Sequence, residues 1–239
     1  MFHVVLYFYY RQGSSIIEAE NQIELRLTND GSHTIYVPVL DETYHSVHGA
    51  FLESHHVYIK NGFLPVHAVR SHFDILEVGF GTGLNICLSA VYNSRHRKVR
   101  CVTLETNPLS QDILSSLNYR NRLDDPSLFS KIHEGDWRTW LTVAPEFELF
   151  KIDQRLQDTR FKDAFDLVYF DAFAPLKQAE MWTRDVFLNL YRAMRKDAVL
   201  VTYCASGQVK RNLKESKFDV EIRPGPPGKR EMVVAHKRR

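Results

Sequence analysis

The chain has 239 residues, 44% hydrophobic and 25% charged, an ordinary globular composition with no internal repeat or low-complexity segment. That length suits one α/β domain, or one domain with a small appendage, and buries a full core without a disulfide or metal staple. A formal net charge of +2 gives by itself no reason to expect nucleic acid as a partner.

Cys87, Cys101 and Cys204 are far apart and lack CxxC spacing. They read as reduced thiols of a cytoplasmic protein, and no metal site is expected. The positive charge is unevenly spread. Arg95, Arg97, Lys98 and Arg100 form one run, Lys210, Arg211, Lys214 and Lys217 another, and Lys229, Arg230, Lys237, Arg238 and Arg239 close the chain. Each run alone suits a solvated face; three of them make a basic surface fitted to RNA phosphates more plausible.

Met1 to Tyr10 is almost wholly apolar and aromatic. It lacks the basic start and small-residue cleavage site of a signal peptide and is far short of a membrane span. An added strand, or a start placed too far upstream (residues 1–12), fits it better than targeting. Gln22 to Leu27 and Thr34 to Val37 alternate polar and apolar residues around Asn29-Asp30-Gly31, a hairpin signal. His45 to Lys60 has helical spacing, with Gly62 as a stop. From Phe73 the pattern becomes strand-helix alternation. Strands are expected at Asp74–Val78, Val99–Leu104, Phe129–His133, Phe165–Phe170 and Ala198–Tyr203, with a strand pair within Phe147–Leu156. Helices are expected at Leu84–Tyr92, Ser110–Arg122 and Arg184–Met194. Two last strands, around Val220–Ile222 and Met232–Val234, flank a Pro-Gly turn. The reading is an α/β fold with a mostly parallel sheet covered on both faces and an antiparallel edge strand. Residues 1–70 form an N-terminal hairpin and helix extension, and 71–239 the main domain.

The stretch from Glu77 to Gly83 carries an acid and three glycines, Gly79, Gly81 and Gly83, between a strand and a helix. Glycines let a backbone approach a ligand where a Cβ would collide. Leu84 stands where a dinucleotide fingerprint needs its third glycine, and the Gly-Lys-Ser/Thr ending of a P-loop is missing. The E-x-G-x-G-x-G form instead resembles motif I of the class I, Rossmann-like methyltransferases, which bind S-adenosyl-L-methionine. Glu105 ends the next strand, where an acid takes ribose hydroxyls in nucleotide-binding α/β folds; taken alone it reads as a solvated strand-end acid. Asp136-Trp137 follows the third expected strand. In class I methyltransferases an acid there accepts from the adenine amine, and Trp137 either packs beside the base or fills the core. Asp171 leaves a buried strand. It either caps a turn or faces a substrate, where beside a methyl donor it would hold an amine and accept its proton.

Together these segments resemble the methyltransferase domain of the MnmC family, which makes 5-methylaminomethyl-2-thiouridine in tRNA. The resemblance rests on Tyr44-His45-Ser46, Gly49-Ala50, Glu53-Ser54, Glu77 to Asn85, Tyr169 to Gln178 with Glu180-Met181-Trp182-Thr183, and Pro224 to Met232. It covers nearly the whole chain after Ile23. Ala179 departs from it, where proline is expected, and bears on turn rigidity. The resemblance implies methylation of the aminomethyl group of 5-aminomethyl-(2-thio)uridine at the tRNA wobble position, with Asp171 as the catalytic residue. Lys177, Lys229 and Arg230 are candidates for substrate contacts on the anticodon loop. The FAD-dependent oxidoreductase domain of the bifunctional family members would not fit in this length, so methyl transfer alone is expected. Two alternatives stay open, a class I methyltransferase for a small amine or a protein, and a non-catalytic RNA-binding module.

Overall fold

A computed structural model describes residues 5–10, 17–93 and 97–238, with backbone alone for 5–10 and 17–22. Two antiparallel strands open it, β1 (Val5–Tyr10) and β2 (Ile17–Gln22). Most of the apolar opening run is therefore a strand, and its first four residues lie outside the described ones. The expected hairpin follows as β3 (Glu24–Leu27) and β4 (His33–Val37), with β5 (Glu42–Thr43) as a third strand. Its turn is wider than a two-residue Asp-Gly turn. Thr28 N donates to Ser32 O, Gly31 N donates to Thr28 O, and the Asp30 carboxylate accepts from Ser32 N at 2.9 Å.

Next comes one unbroken helical segment, made of α1 (Ala50–Ser54), a π-helical stretch (His55–Phe63) and α2 (Leu64–Val69). It begins five residues later than the spacing predicts, and Gly62 does not stop it. A Cβ at Gly62 would lie 3.0 Å from Val201 Cγ2 and 3.2 Å from the Tyr169 ring. The glycine is there to let the helix lie close on the sheet.

That sheet has eight strands: β6 (His72–Val78), β7 (Lys98–Leu104), β8 (Trp140–Ala144), β9 (Phe147–Ile152), β10 (Phe165–Phe170), β11 (Met194–Thr202), β12 (Asp219–Pro224) and β13 (Glu231–Lys237). They lie in the order β12-β13-β11-β10-β6-β7-β9-β8. The run from β11 to β9 is parallel, and β13, β12 and β8 are antiparallel to their neighbours. The mostly parallel sheet is as expected, with antiparallel pairing at both edges. Among the described residues, five more α-helices complete the fold, α3 (Leu84–Tyr92), α4 (Gln111–Ser116), α5 (Pro126–Glu134), α6 (Arg184–Ala193) and α7 (Gly207–Glu215).

Successive strand residues face opposite sides, so Ile75, Cys101, Leu149 and Tyr169 pack under the N-terminal helical segment, α3, α4 and α5. Leu76, Val168 and Leu200 pack under α6 and α7. Both faces are covered, which is why β10 is buried at every position.

Two expectations need correction, and one helix was not expected. Residues 129–133 belong to α5, not to a strand. Asp125 caps that helix by accepting from Ser127 N at 2.9 Å, Pro126 takes its first position, and Leu128, Phe129, Ile132 and His133 form its buried face. The helix predicted over 110–122 ends at Ser116, with Leu117 extended and a short 3-10 turn at Arg120–Arg122. The basic run at 210–217 lies largely on α7, whose buried face, Val209 and Leu213, was hidden among the charges.

The chain leads from β6 out to β7 and β9 on one side, then crosses to β10 and β11 on the other. The order reverses between β6 and β10, and open α/β sheets bind ligands in the crevice at the carboxyl ends of such a pair. Among the described residues no helix is long and apolar enough to cross a membrane.

Candidate active site

The glycine loop leaves β6 at this reversal. Gly79, Gly81 and Gly83 all have positive φ, at 91°, 49° and 70°. A Cβ on Gly79 would run into the backbone carbonyl of Asp171, so the ends of β6 and β10 pass closer than a side chain allows. Asp171 N donates to Val78 O at 2.9 Å, which joins the same two strand ends. The loop is also tied to β7. Gly79 N donates to Leu104 O, and Gly81 N donates to Glu105 Oε2 at 2.9 Å. Glu105 Oε1 accepts from Thr106 N and Asn107 N. Burial pushes the Glu105 carboxyl up, opposed by these three backbone donors. It stands at the strand end where a ribose-binding acid belongs.

Glu77 is fully buried. Thr103 Oγ1 donates to its Oε2 at 2.8 Å, while its Oε1 is buried without a hydrogen bond among the described residues. Burial raises its carboxyl well above the usual range. An unpaired buried acceptor is costly unless something else satisfies it. A cofactor with an ammonium group and vicinal hydroxyls, held by Glu77, Glu105 and the open backbone of the glycine loop, suits this donor and acceptor set.

Asp171 lies half-buried at the end of β10. Asn85 of α3 donates to its Oδ2 at 2.9 Å, and Ser54 Oγ hydrogen-bonds in turn to Asn85 Oδ1. Burial, with Glu53 adding to it and the Tyr58 hydroxyl opposing it, lifts its carboxyl to about 6. Tyr58 sits in the π-helical stretch, a geometry frequent at functional sites. Glu53 Oε1 accepts from Lys229 Nζ at 2.6 Å and its Oε2 from Ser46 N at 2.8 Å. Lys229 Nζ also lies 3.7 Å from the centre of the Tyr203 ring, and Tyr203 Oη donates to Ala172 O at 2.9 Å. His45 Nε2 and Thr82 Oγ1 are 2.7 Å apart, and burial drops His45 to about 4, so it is neutral. The N-terminal segment thus lines one side of the crevice with Tyr44, His45, Glu53 and Tyr58. Of these, only the family resemblance drew attention to Tyr44, His45 and Glu53; nothing in the sequence pattern marked Tyr58.

Asp136 and Trp137 do not follow a strand, because α5 precedes them. Asp136 is exposed. Trp137 lines a small cavity with Phe80, Gly81, Leu109, Gln111 and Lys151. Lys151 is buried; its Nζ donates to Ile132 O at 2.8 Å and Gly135 O at 2.7 Å, closing the end of α5, and burial lowers it to about 8. The strand that follows β7 in the parallel run is β9, and the acid after it is Asp153. Glu105 N donates to Ile152 O at 3.0 Å, which sets Asp153 beside Glu105. The signal was the apolar alternation of Phe147 to Ile152, read as an inserted strand pair. Lys177 pairs with Asp41 at 3.7 Å and Arg230 with Glu231 at 2.9 Å. Each basic run has paired members too, Arg100 with Asp74, Lys210 with Glu231, Lys237 with Asp163 and Arg238 with Asp219. Arg95 and Arg239 lie outside the described residues.

The family described as S-adenosyl-L-methionine-dependent methyltransferase matches residues 129–238. The match spans 110 of the 239 residues. The chain is also similar to the tRNA 5-methylaminomethyl-2-thiouridine biosynthesis bifunctional protein MnmC of Cupriavidus metallidurans, 34% identical over 225 residues, covering 87% of this chain and 33% of that protein. Its counterpart from Paraburkholderia phymatum is 31% identical over 222 residues, covering 84% and 33%. The chain spans about a third of the length of these curated relatives. Among solved structures, MnmC2 from Aquifex aeolicus superposes with a TM-score of 0.74 at 22% identity, covering 89% of this chain and 69% of that one. Spermidine synthase from Thermotoga maritima gives 0.56 at 16% identity, covering 91% and 69%. These two likenesses speak to the fold.

Proposed function

We propose that this chain is an S-adenosyl-L-methionine-dependent methyltransferase that acts on the primary amine of 5-aminomethyl-(2-thio)uridine at the wobble position of tRNA, with the anticodon loop docked over the crevice. The observation that carries the reading is Asp171, a carboxylate at the β6/β10 reversal beside the glycine loop, held by Asn85 and raised to about 6. The printed name of the MnmC relatives supplies the substrate class.

Bound S-adenosyl-L-methionine supplies an electrophilic methyl group. Glu77, Glu105 and the glycine loop are the residues proposed to hold it, with Trp137 and either Asp136 or Asp153 on the adenine side. An alkylammonium has no lone pair, so the site has to present the neutral amine. Asp171 accepts one N–H of that amine and leaves the lone pair free. As the nitrogen gains its methyl group, the proton it sheds passes to the Asp171 carboxylate. Near neutral pH a carboxyl of about 6 is mostly ionised and able to accept. Positioning the amine in line with the methyl group supplies much of the remaining rate. Lys177, Lys229 and Arg230 stand on the substrate side.

The test is labelled methyl transfer from purified protein to tRNA bearing unmodified, aminomethyl or carboxymethylaminomethyl uridine. Transfer to the aminomethyl form alone is expected. Good transfer to a small alkylamine with none to that tRNA overturns the reading.

A further inference from the structure

An open groove of about 520 Å³ runs outward from Tyr203 between α7 and the turn before β13. Its lining includes Tyr203, Cys204, Lys210, Lys229, Arg230 and Glu231. Three cations against one carboxylate leave this lining with a net charge of +2. Lys229 is taken up by Glu53. The other two cations share Glu231, with Lys210 Nζ on Oε2 at 3.1 Å and an Arg230 guanidinium nitrogen on Oε1 at 2.9 Å. Glu231 is fixed by β13, where it pairs with Pro224. One rooted carboxylate therefore holds two cationic heads side by side and cancels only one of them. The Arg230 side chain is 92% exposed, so its other N–H donors are open to a ligand.

We propose that Lys210 and Arg230 bind an RNA phosphodiester next to the target nucleotide. The proposal rests on the reading that the methyl acceptor is an RNA base. The residual single positive charge matches the single negative charge of a phosphodiester. The position matches as well. Tyr203 at the inner end of the groove is bonded to Ala172, the residue after Asp171. A base that reaches Asp171 leaves its sugar and phosphate in the groove. RNA-modifying sites of this kind take the base out of its stack and hold the backbone outside.

The experiment uses the full chain, its K210A/R230A double variant and K210R. The substrates are a short RNA hairpin with 5-aminomethyluridine in its loop and the free 5-aminomethyluridine nucleoside. The ratio of kcat/KM for hairpin over nucleoside is expected to fall about tenfold in the double variant, and the dependence of log(kcat/KM) on log salt to become shallower by about 0.7, the value for one phosphate. K210R retains most of the hairpin activity. An unchanged ratio with an unchanged salt slope overturns the phosphodiester site. If the wild type does not methylate the hairpin, the substrate reading fails separately. Anisotropy of a labelled hairpin at graded salt then tests the groove alone, and equal affinity for wild type and double variant overturns it.

Discussion

Asn85 donates from Nδ2 to Oδ2 of Asp171 at 2.9 Å, joining the first turn of α3 to the end of β10 across the glycine loop. Asn85 is 3% exposed, and Ser54 holds its other side-chain atom. The contact fixes which carboxylate oxygen is left for a substrate. Asp171→Ala is expected to lose about 10²–10⁴-fold in kcat, the range of a lost general base, with cofactor affinity kept by calorimetry. Asn85→Ala leaves the carboxylate in place but unguided, so a smaller fall of about tenfold is expected. Full activity in Asp171→Ala would make that residue structural only.

The raised Asp171 carboxyl has two measurable effects. Activity should rise with pH through about 6 as the carboxylate ionises, and the Asp171→Asn variant should lose this limb. The stability effect has the opposite sense. A carboxyl whose folded value lies above its unfolded value destabilises the fold where it is ionised, above about 6, and the penalty fades as pH falls toward about 4. Partial solvent access reduces it, so Asp171→Asn should stabilise by about 1 kcal/mol at mildly alkaline pH. Thermal melts across pH check this; a gain that grows on acidification contradicts the sign.

Gly79 is where the glycine loop tolerates change least. Its φ of 91° is unfavourable for any side chain, and its Cβ would meet the backbone of Asp171 rather than a movable side chain. Gly79→Ala should cost about 2–3 kcal/mol of stability and weaken S-adenosyl-L-methionine binding at least in proportion, because relief requires the ends of β6 and β10 to part. A variant with native melting and native cofactor affinity contradicts that close approach.

Local signals were the legible ones. The apolar face of Leu84 to Tyr92 gave α3 its observed limits, and the buried runs around Phe165–Phe170 and Ala198–Tyr203 gave β10 and β11. What periodicity could not give was context. Phe129-Ser130-Lys131-Ile132 reads as a strand until Asp125 and Pro126 are counted as a helix start. The π-helical stretch has no compositional mark, and Gly62 looks like a stop because its close neighbours, Val201 and Tyr169, are more than a hundred residues away in sequence. The same distance hides the Glu53–Lys229 pair. The strand expected at Phe129–His133 is what drew the adenine-side reading to Asp136, whereas the strand beside β7 is β9, which is followed by Asp153.

The two acids can be separated by experiment. Both are exposed, but Asp153 follows β9 beside Glu105 and pairs with Arg138 at 2.7 Å, whereas Asp136 follows α5. Asp153→Asn is expected to weaken cofactor binding about tenfold, the size of a lost charge-assisted hydrogen bond, and Asp136→Asn less than twofold. Calorimetric titration with S-adenosyl-L-methionine gives the ranking. The reverse order would return the adenine-side role to Asp136.

The opposite end of the sheet holds a charge cluster of another kind. Asp166, 2% exposed, and Asp74, 4% exposed, stand on neighbouring strands, and Arg195 bridges them at 2.5 Å and 2.8 Å. Arg100 adds to Asp74 at 2.8 Å and Arg70 to Asp166 at 3.1 Å. Burial alone would raise Asp74, but Arg100 and Arg195 hold it below its ordinary value. Its contribution is therefore present above the unfolded value and is lost as pH falls through the lower folded one. Removing Arg195 leaves two buried carboxylates facing each other. Arg195→Met should cost about 3–5 kcal/mol with kcat unaltered at temperatures below its melting point, since the cluster is at the amino ends of the strands and the crevice at their carboxyl ends. A loss of kcat without a loss of stability would place this cluster in communication with the site, against its reading as a clamp on the sheet.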